Sequence, residues 1–146
     1  MATYSFQNVS ATLVGTGGVV DLGYGSGNDK EGISITFNAT RNTMTIGADG
    51  EVMHSLKSDK SGVVAVRLMR TSDKNAQLQL MANAQFLSPA LHGTNVITIR
   101  DKGNNEVCVC RDVAFQNVAN RTFAEDGSVQ EWLFDCGKID FVTGTY

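Results

Sequence analysis

Apolar and polar residues alternate with a period of two over much of this chain. Val9, Ala11 and Leu13 alternate with Ser10 and Thr12, and Ile33, Ile35 and Phe37 with Ser34 and Thr36. Val64, Val66 and Leu68 form one row opposite Val63, Ala65 and Arg67, while Trp132 and Phe134 share one face of the run from Gln130 to Asp135. Successive side chains of a strand point to opposite faces, so each run predicts a half-buried strand. The runs Val96 to Arg100 and Val107 to Arg111 flank Asp101-Lys102-Gly103-Asn104-Asn105, whose Gly and Asn residues suit a hairpin turn. Half-buried strands with polar partners imply antiparallel sheets. The expected fold is mainly β, an antiparallel β-sandwich or partly closed barrel.

Two stretches depart from this pattern. From Thr71 to Leu87, Ala76, Leu80, Met81, Ala84 and Leu87 recur at helical spacing. Thr71 or Ser72 can cap the start, Asp73 suits the positive helix end, and Pro89 follows the stop. This predicts one flanking α-helix at about 72–87, its apolar stripe covering the sheet. The second stretch is a long inter-strand connection, 41–61. Connections in compact domains usually run to about 4–6 residues, and long ones tend to be functional or disordered. Met44, Ile46, Val52, Met53 and Leu56 are too apolar for disorder. Such side chains need a surface to bury against, on their own domain or on another chain. Met44, Ile46, Met53, His54 and Leu56 are therefore the candidate inter-subunit contacts.

Composition narrows the field. The 146 residues suit a single domain spanning 1–146, which buries roughly 70% of its unfolded surface. Charged residues make up 18%, below the usual ~25%, which favours a surface completed by partners. The net charge is −3, and the acids gather late: Glu125, Asp126, Glu131, Asp135 and Asp140 against Lys138. A nucleic-acid binder needs a basic face to neutralise phosphates, and no cluster supplies one. The opening MATYSFQNVS has no basic n-region or apolar run, so a secretory signal is not expected. No apolar stretch is long enough for a membrane anchor. The glycines from Gly15 to Gly27 read as turns and bulges around a strand.

Candidate chemistry is thin. The Gly-Lys pair Gly137-Lys138 is followed by Ile139, not Ser or Thr, so no phosphate loop forms. Cys108, Cys110 and Cys136 read as buried free thiols, and His54 and His92 have no spacing that joins them to a metal set. Glu125, Glu131 and Asp135 lie close in sequence but lack the aromatic groove that a glycosidase site uses. No catalytic, cofactor or metal residues are expected.

With the pattern laid out, the chain resembles the tail tube proteins of contractile-tailed bacteriophages. The resemblance runs from TYSFQNVSATL (Thr3 to Leu13) to EWLFDCGKID (Glu131 to Asp140). Its most specific pieces are NTMTIGADGEVMHS (Asn42 to Ser55), SGVVAVRLMRTS (Ser61 to Ser72), DVAFQ (Asp112 to Gln116) and QEWLFDCGKID (Gln130 to Asp140). The resemblance implies a structural, non-enzymatic subunit that self-assembles into hexameric rings. Those rings stack into a hollow conduit for DNA within a contractile sheath. It also implies sheath, baseplate and tail-terminator partners, DNA only in transit, a place in the virion tail, and assembly in the host bacterial cytoplasm. A secretion-system tube protein of similar fold is the alternative of the same class. A β-sandwich ligand-binding module is the alternative of another class, and it would need an exposed aromatic platform.

Overall fold

The alternating runs become strands, and adjacent ones pair in the expected antiparallel sense. The computed structural model describes residues 2–145. Strands β1 (Val9–Gly15) and β2 (Gly18–Asp21) form a hairpin, followed by β3 (Asn28–Phe37). Then come β4 (Asn42–Ile46), β5 (Val52–Leu56), β6 (Gly62–Met69) and the helix α1 (Lys74–Gln85). Strands β7 (Asn95–Asp101), β8 (Glu106–Phe115) and β9 (Val129–Val142) complete the chain. Seven strands make one antiparallel sheet in the order β2-β1-β7-β8-β9-β6-β3, curled into a half-barrel. Of the two forms expected, the partly closed barrel is the one adopted. No helix among the described residues is long and apolar enough to cross a membrane.

Most apolar rows read from the sequence face the core, but Ile33 and Ile35 are only partly buried and Phe37 is 53% exposed. Leu13, Val64, Val66, Leu68, Ile97, Cys110, Val113, Trp132 and Phe134 are fully buried on the concave side. Phe115 packs edge-on to Trp132 and tilted against Phe134, with centroids 6.1 and 4.9 Å apart. The turn 101–105 closes the β7–β8 hairpin, with Asn105 at φ 59° supplying the left-handed residue. In β8 the pairing to β7 jumps between Ile97↔Cys110 and Asn95↔Val113, and Asp112 there has φ 54°. Such a bulge bends its strand, which suits a sheet that must curl.

The helix departs from expectation in its ends and its buried face. It spans Lys74–Gln85, shorter than 72–87, and Asp73 occupies the N-cap position without a side-chain cap bond. Ser72 Oγ accepts from Lys74 N at 3.3 Å. The buried positions are Asn75, Leu78, Met81, Ala82 and Gln85. Of the anticipated stripe only Met81 is buried, and Leu80 and Leu87 are 70% and 84% exposed. Polar residues hold the inner face because hydrogen bonds satisfy them. Trp132 Nε1 donates to Asn75 Oδ1 at 3.0 Å, and Asn75 Nδ2 donates to Met69 O at 2.9 Å. Gln85 and Asn95 exchange amide bonds of 2.7 and 2.6 Å, and Gln85 also donates to Thr16 O at 2.9 Å. A buried amide with all its partners costs little, so apolarity alone pointed to the wrong face.

Candidate assembly surface

The long connection is itself a β-hairpin. Asn42-Thr43-Met44-Thr45-Ile46 and Val52-Met53-His54-Ser55-Leu56 pair antiparallel, from Asn42↔Leu56 at the base to Ile46↔Val52 at the tip. The turn Gly47 to Gly50 closes it: Gly47 N donates to Glu51 O at 2.7 Å, and Gly50 N to Gly47 O at 3.0 Å. Gly50 has φ 88°, a conformation that disfavours side chains. At the base, Lys57 N donates to Arg41 O, and Arg41 Nε to Lys57 O, each at 2.8 Å.

Residues opposite one another in an antiparallel pair share a face. One face of this hairpin therefore carries Met44, Ile46, Val52 and Leu56 with Asn42 and His54, and Asn42 Nδ2 lies 3.3 Å from His54 Nδ1. The other carries Thr43, Thr45, Met53 and Ser55. Every residue of both strands except Ser55 is exposed. Met44, Ile46, Val52 and Met53 stand 52–58% exposed and Leu56 80%. The hairpin does not fold back on its own sheet, and its apolar side chains stay exposed. Of the five candidate residues, Met44, Ile46, His54 and Leu56 sit together, and Met53 points the opposite way.

The base of the hairpin is held to the sheet. Asn38 N and Nδ2 donate to Ser61 O and Oγ at 3.1 and 3.2 Å, and Ile139 N donates to Lys60 O at 3.0 Å. Asp59 Oδ1 accepts from Ser61 Oγ at 2.6 Å and Ser61 N at 2.8 Å, and these bonds hold its carboxyl below the usual carboxylate range. The segment is thus an ordered projection.

The half-barrel ends in two unpaired edges, β2 and β3. Such edges can pair with further strands unless they are short, charged or covered. On the convex face, basic residues are matched by acids. Arg67 Nε lies 2.9 Å from Glu131 and 3.6 Å from Glu31, Lys60 lies 3.4 Å from Asp140, and Arg111 pairs with the same carboxylate.

Among the described residues no cluster of His, Cys, Asp and Glu could hold a metal. His92 stacks on Phe86 and His54 lies in the hairpin. The three cysteines are buried and free, as expected from their strand positions. Cys108 Sγ is 3.8 Å from Cys110 Sγ, and that contact together with burial pushes the Cys108 thiol up. For Cys110 the same contact pulls downward, but the bond with Cys136 and burial outweigh it, and its thiol is pushed up to about 12.

Residues 1–144 match the family described as bacteriophage PhiTE tail tube protein. The chain belongs to that family. It is a structural component of the virion tail, and the family is not one of enzymes. No curated protein sequence is similar to it. Its fold is similar to that of several solved structures. One comes from an extracellular contractile injection system, a PVC sheath–tube complex in the extended state (TM-score 0.64, 10% identity, 97% of this chain and 92% of that one). Another is the tube-terminating cap of the anti-feeding prophage (TM-score 0.58, 13% identity, 99% and 95%). A third is the PVC sheath/tube terminator in the extended state (TM-score 0.58, 12% identity, 97% and 98%). The hairpin is an exposed, partly apolar surface of the tube protein. Sequence reasoning gave it as a connection and left Val52 out of the candidate contacts. The turn Gly47-Ala48-Asp49-Gly50 between two runs of strand-forming residues was the available signal.

Proposed function

We propose that this tube protein assembles into hexameric rings which stack as a hollow conduit inside a contractile sheath, and that DNA crosses its lumen during ejection. The observation that carries the reading is the projecting hairpin, ordered yet apolar on one face, beside a sheet with two uncovered edges. Met44, Ile46, Met53, His54 and Leu56 are the proposed inter-subunit contacts, joined by Val52. Head-to-tail contacts that close by rotation produce rings, and covering the β2 and β3 edges removes them as sites of misassembly. Sheath, baseplate and tail-terminator proteins are the proposed partners, and the host cytoplasm the place of assembly. A lumen without a basic stripe attracts phosphate weakly, which suits a passage through which DNA slides.

Negative-stain electron microscopy of the purified protein tests the assembly: hollow rings or tubes are expected, and a persistent monomer refutes it. The double variant Met44→Asp with Met53→Asp should fold and fail to form tubes. DNA bound more tightly than weak, salt-sensitive association would contradict the transit role. A secretion-type tube shares the fold of the injection-system structures above, and DNA within particles built on this subunit separates the two readings.

A further inference from the structure

Strands β8 and β9 are joined by a loop, 116–128, that main-chain hydrogen bonds leave largely untied. Gln116 N donates to Leu133 O at 3.0 Å. Beyond it, among the described residues, no main-chain amide of 117–128 donates to a main-chain carbonyl. Side chains tether the loop instead. Arg121 Nη2 donates to Gln79 Oε1 at 2.9 Å, and the Arg70 guanidinium lies 4.5 Å from the centre of the Phe123 ring. Every residue from Arg121 to Gly127 is exposed.

This loop holds one of the chain's two Asp-Gly pairs, Asp126-Gly127, and the turn of the β4–β5 hairpin holds the other, Asp49-Gly50. An aspartyl carboxyl group can be attacked by the main-chain nitrogen of the residue that follows. A bond forms between that nitrogen and Cγ, and one carboxyl oxygen leaves as water with the carboxyl proton and the amide proton. Water then opens the cyclic imide. Where it cleaves at the main-chain carbonyl carbon, the chain is left running through Cβ and Cγ as isoaspartate, with a free α-carboxylate. One water is lost and one taken up, so mass is unchanged and no oxidant or reductant enters. Attack needs a free N–H, an unengaged carboxyl group and room around the nitrogen, which glycine provides by lacking Cβ.

The fold separates the two pairs. At Asp49-Gly50, Gly50 N donates to Gly47 O at 3.0 Å and Asp49 Oδ1 accepts from Glu51 N at 3.2 Å, so nitrogen and carboxylate are both engaged. At Asp126-Gly127, among the described residues, Gly127 N donates to no carbonyl and the Asp126 carboxylate forms no ion pair. Both residues are exposed, and a Cβ built on Gly127 would meet nothing within 4 Å. We infer that Asp126 is the site at which this chain spontaneously forms isoaspartate. The product is an exposed isoaspartyl α-carboxylate, the group that isoaspartyl methyltransferases esterify with S-adenosylmethionine. The added backbone bond falls between Phe123 and Val129, where the loop has no main-chain hydrogen bond to lose, so the sheet keeps its pairing.

The folded full-length chain, held at neutral pH over weeks and sampled by peptide mapping, tests the assignment. Isoaspartate should accumulate at Asp126 about tenfold or more faster than at Asp49, because two hydrogen bonds must break before Asp49 can cyclise. Methyl transfer from S-adenosylmethionine by a purified isoaspartyl methyltransferase should label the same peptide. Asp126→Glu, whose longer side chain cyclises poorly, should lose that label while its urea midpoint stays unchanged. In urea, where the turn is gone, the two sites should react at similar rates. Absence of isoaspartate at Asp126 in the folded chain overturns the inference, as do equal folded-state rates at the two sites or a label that survives Asp126→Glu. A difference that persists in urea overturns it as well, since the fold would then not be its cause.

Discussion

The register of the hairpin makes a sharp prediction, because it places two methionines of equal exposure on opposite faces. Met44 and Met53 are each 58% exposed, and each lies near the middle of its strand. Fully burying a methionine stabilises by about 1.5–3 kcal/mol, so the exposed share of Met44 leaves roughly 1–2 kcal/mol to be gained on assembly. Met44→Asp forgoes that gain and adds the cost of desolvating a carboxylate, about another 1–3 kcal/mol where water is only partly excluded. The loss is then about 3 kcal/mol at each interface, or roughly a hundredfold in affinity. Met53→Asp, on the face shared with Thr43, Thr45 and Ser55, lacks apolar neighbours and should cost clearly less, about tenfold or under. Neither variant should shift monomer stability by more than about 0.5 kcal/mol, since both positions are exposed. Pelleting across a concentration series gives the assembly threshold, and urea unfolding gives the stability. Equal losses for the two variants would refute the face assignment, and a folded Met44→Asp with an unchanged threshold would refute the burial of that face.

Three further outcomes follow from the interior. Gln85→Leu strands the buried Asn95 amide and Thr16 O, and should cost about 2–3 kcal/mol in urea unfolding. Adding Asn95→Leu should recover part of it, and strict additivity in the double-mutant cycle would show that the amide pair is not coupled. Gly62→Ala puts a Cβ against Thr36 O and 2.5 Å from Ile139 Cδ1, which should cost about 1–3 kcal/mol through strain between β3, β6 and β9. An unchanged urea midpoint would contradict that packing. Cys108 and Cys110 have thiols raised above their ordinary value of 9.0, so the unfolded chain loses these protons first as pH climbs. Their contribution is complete below pH 9 and falls away as pH rises from there toward and past 12. Urea unfolding between pH 8 and 10.5 should therefore show a shallower alkaline decline in Cys108→Ala than in the parent, and equal slopes would count against the raised thiols.

Much of the sheet was legible because one face of each strand meets a core made by the chain itself. Leu13, Val64, Val66, Trp132 and Phe134 alternate with polar residues for that reason, and the register of β6 on β9 preserves the alternation across strands. The helix was legible in type but not in orientation. Its inner face holds Asn75 and Gln85, whose amides are satisfied by Trp132 and Asn95, partners on distant strands that no local pattern announces. The hairpin was legible as a segment in need of a surface, and the five candidate residues all fall within it. Its faces were not, since Val52 and Met53 are adjacent apolar residues and only the pairing with Ile46 and Thr45 separates them.

Helix and hairpin differ in what an apolar pattern can report. In α1 the pattern points to the wrong face, because hydrogen-bonded amides occupy buried sites. In the hairpin the pattern leaves the burying surface open, and four apolar side chains share one exposed face while the backbone satisfies its own hydrogen bonds. A segment of that kind gains nothing from its own domain beyond the fixed base at Asn38, Lys60 and Ser61. Its order without burial is what a preformed contact requires, since a hairpin already in its bound shape loses little conformational entropy on docking. Loosening the hairpin without touching its apolar face, as by Gly50→Ala at φ 88°, should therefore weaken assembly while leaving the sheet intact. Threshold and urea midpoint measured together decide it: a raised threshold with an unchanged midpoint supports preorganisation, and an unchanged threshold removes it.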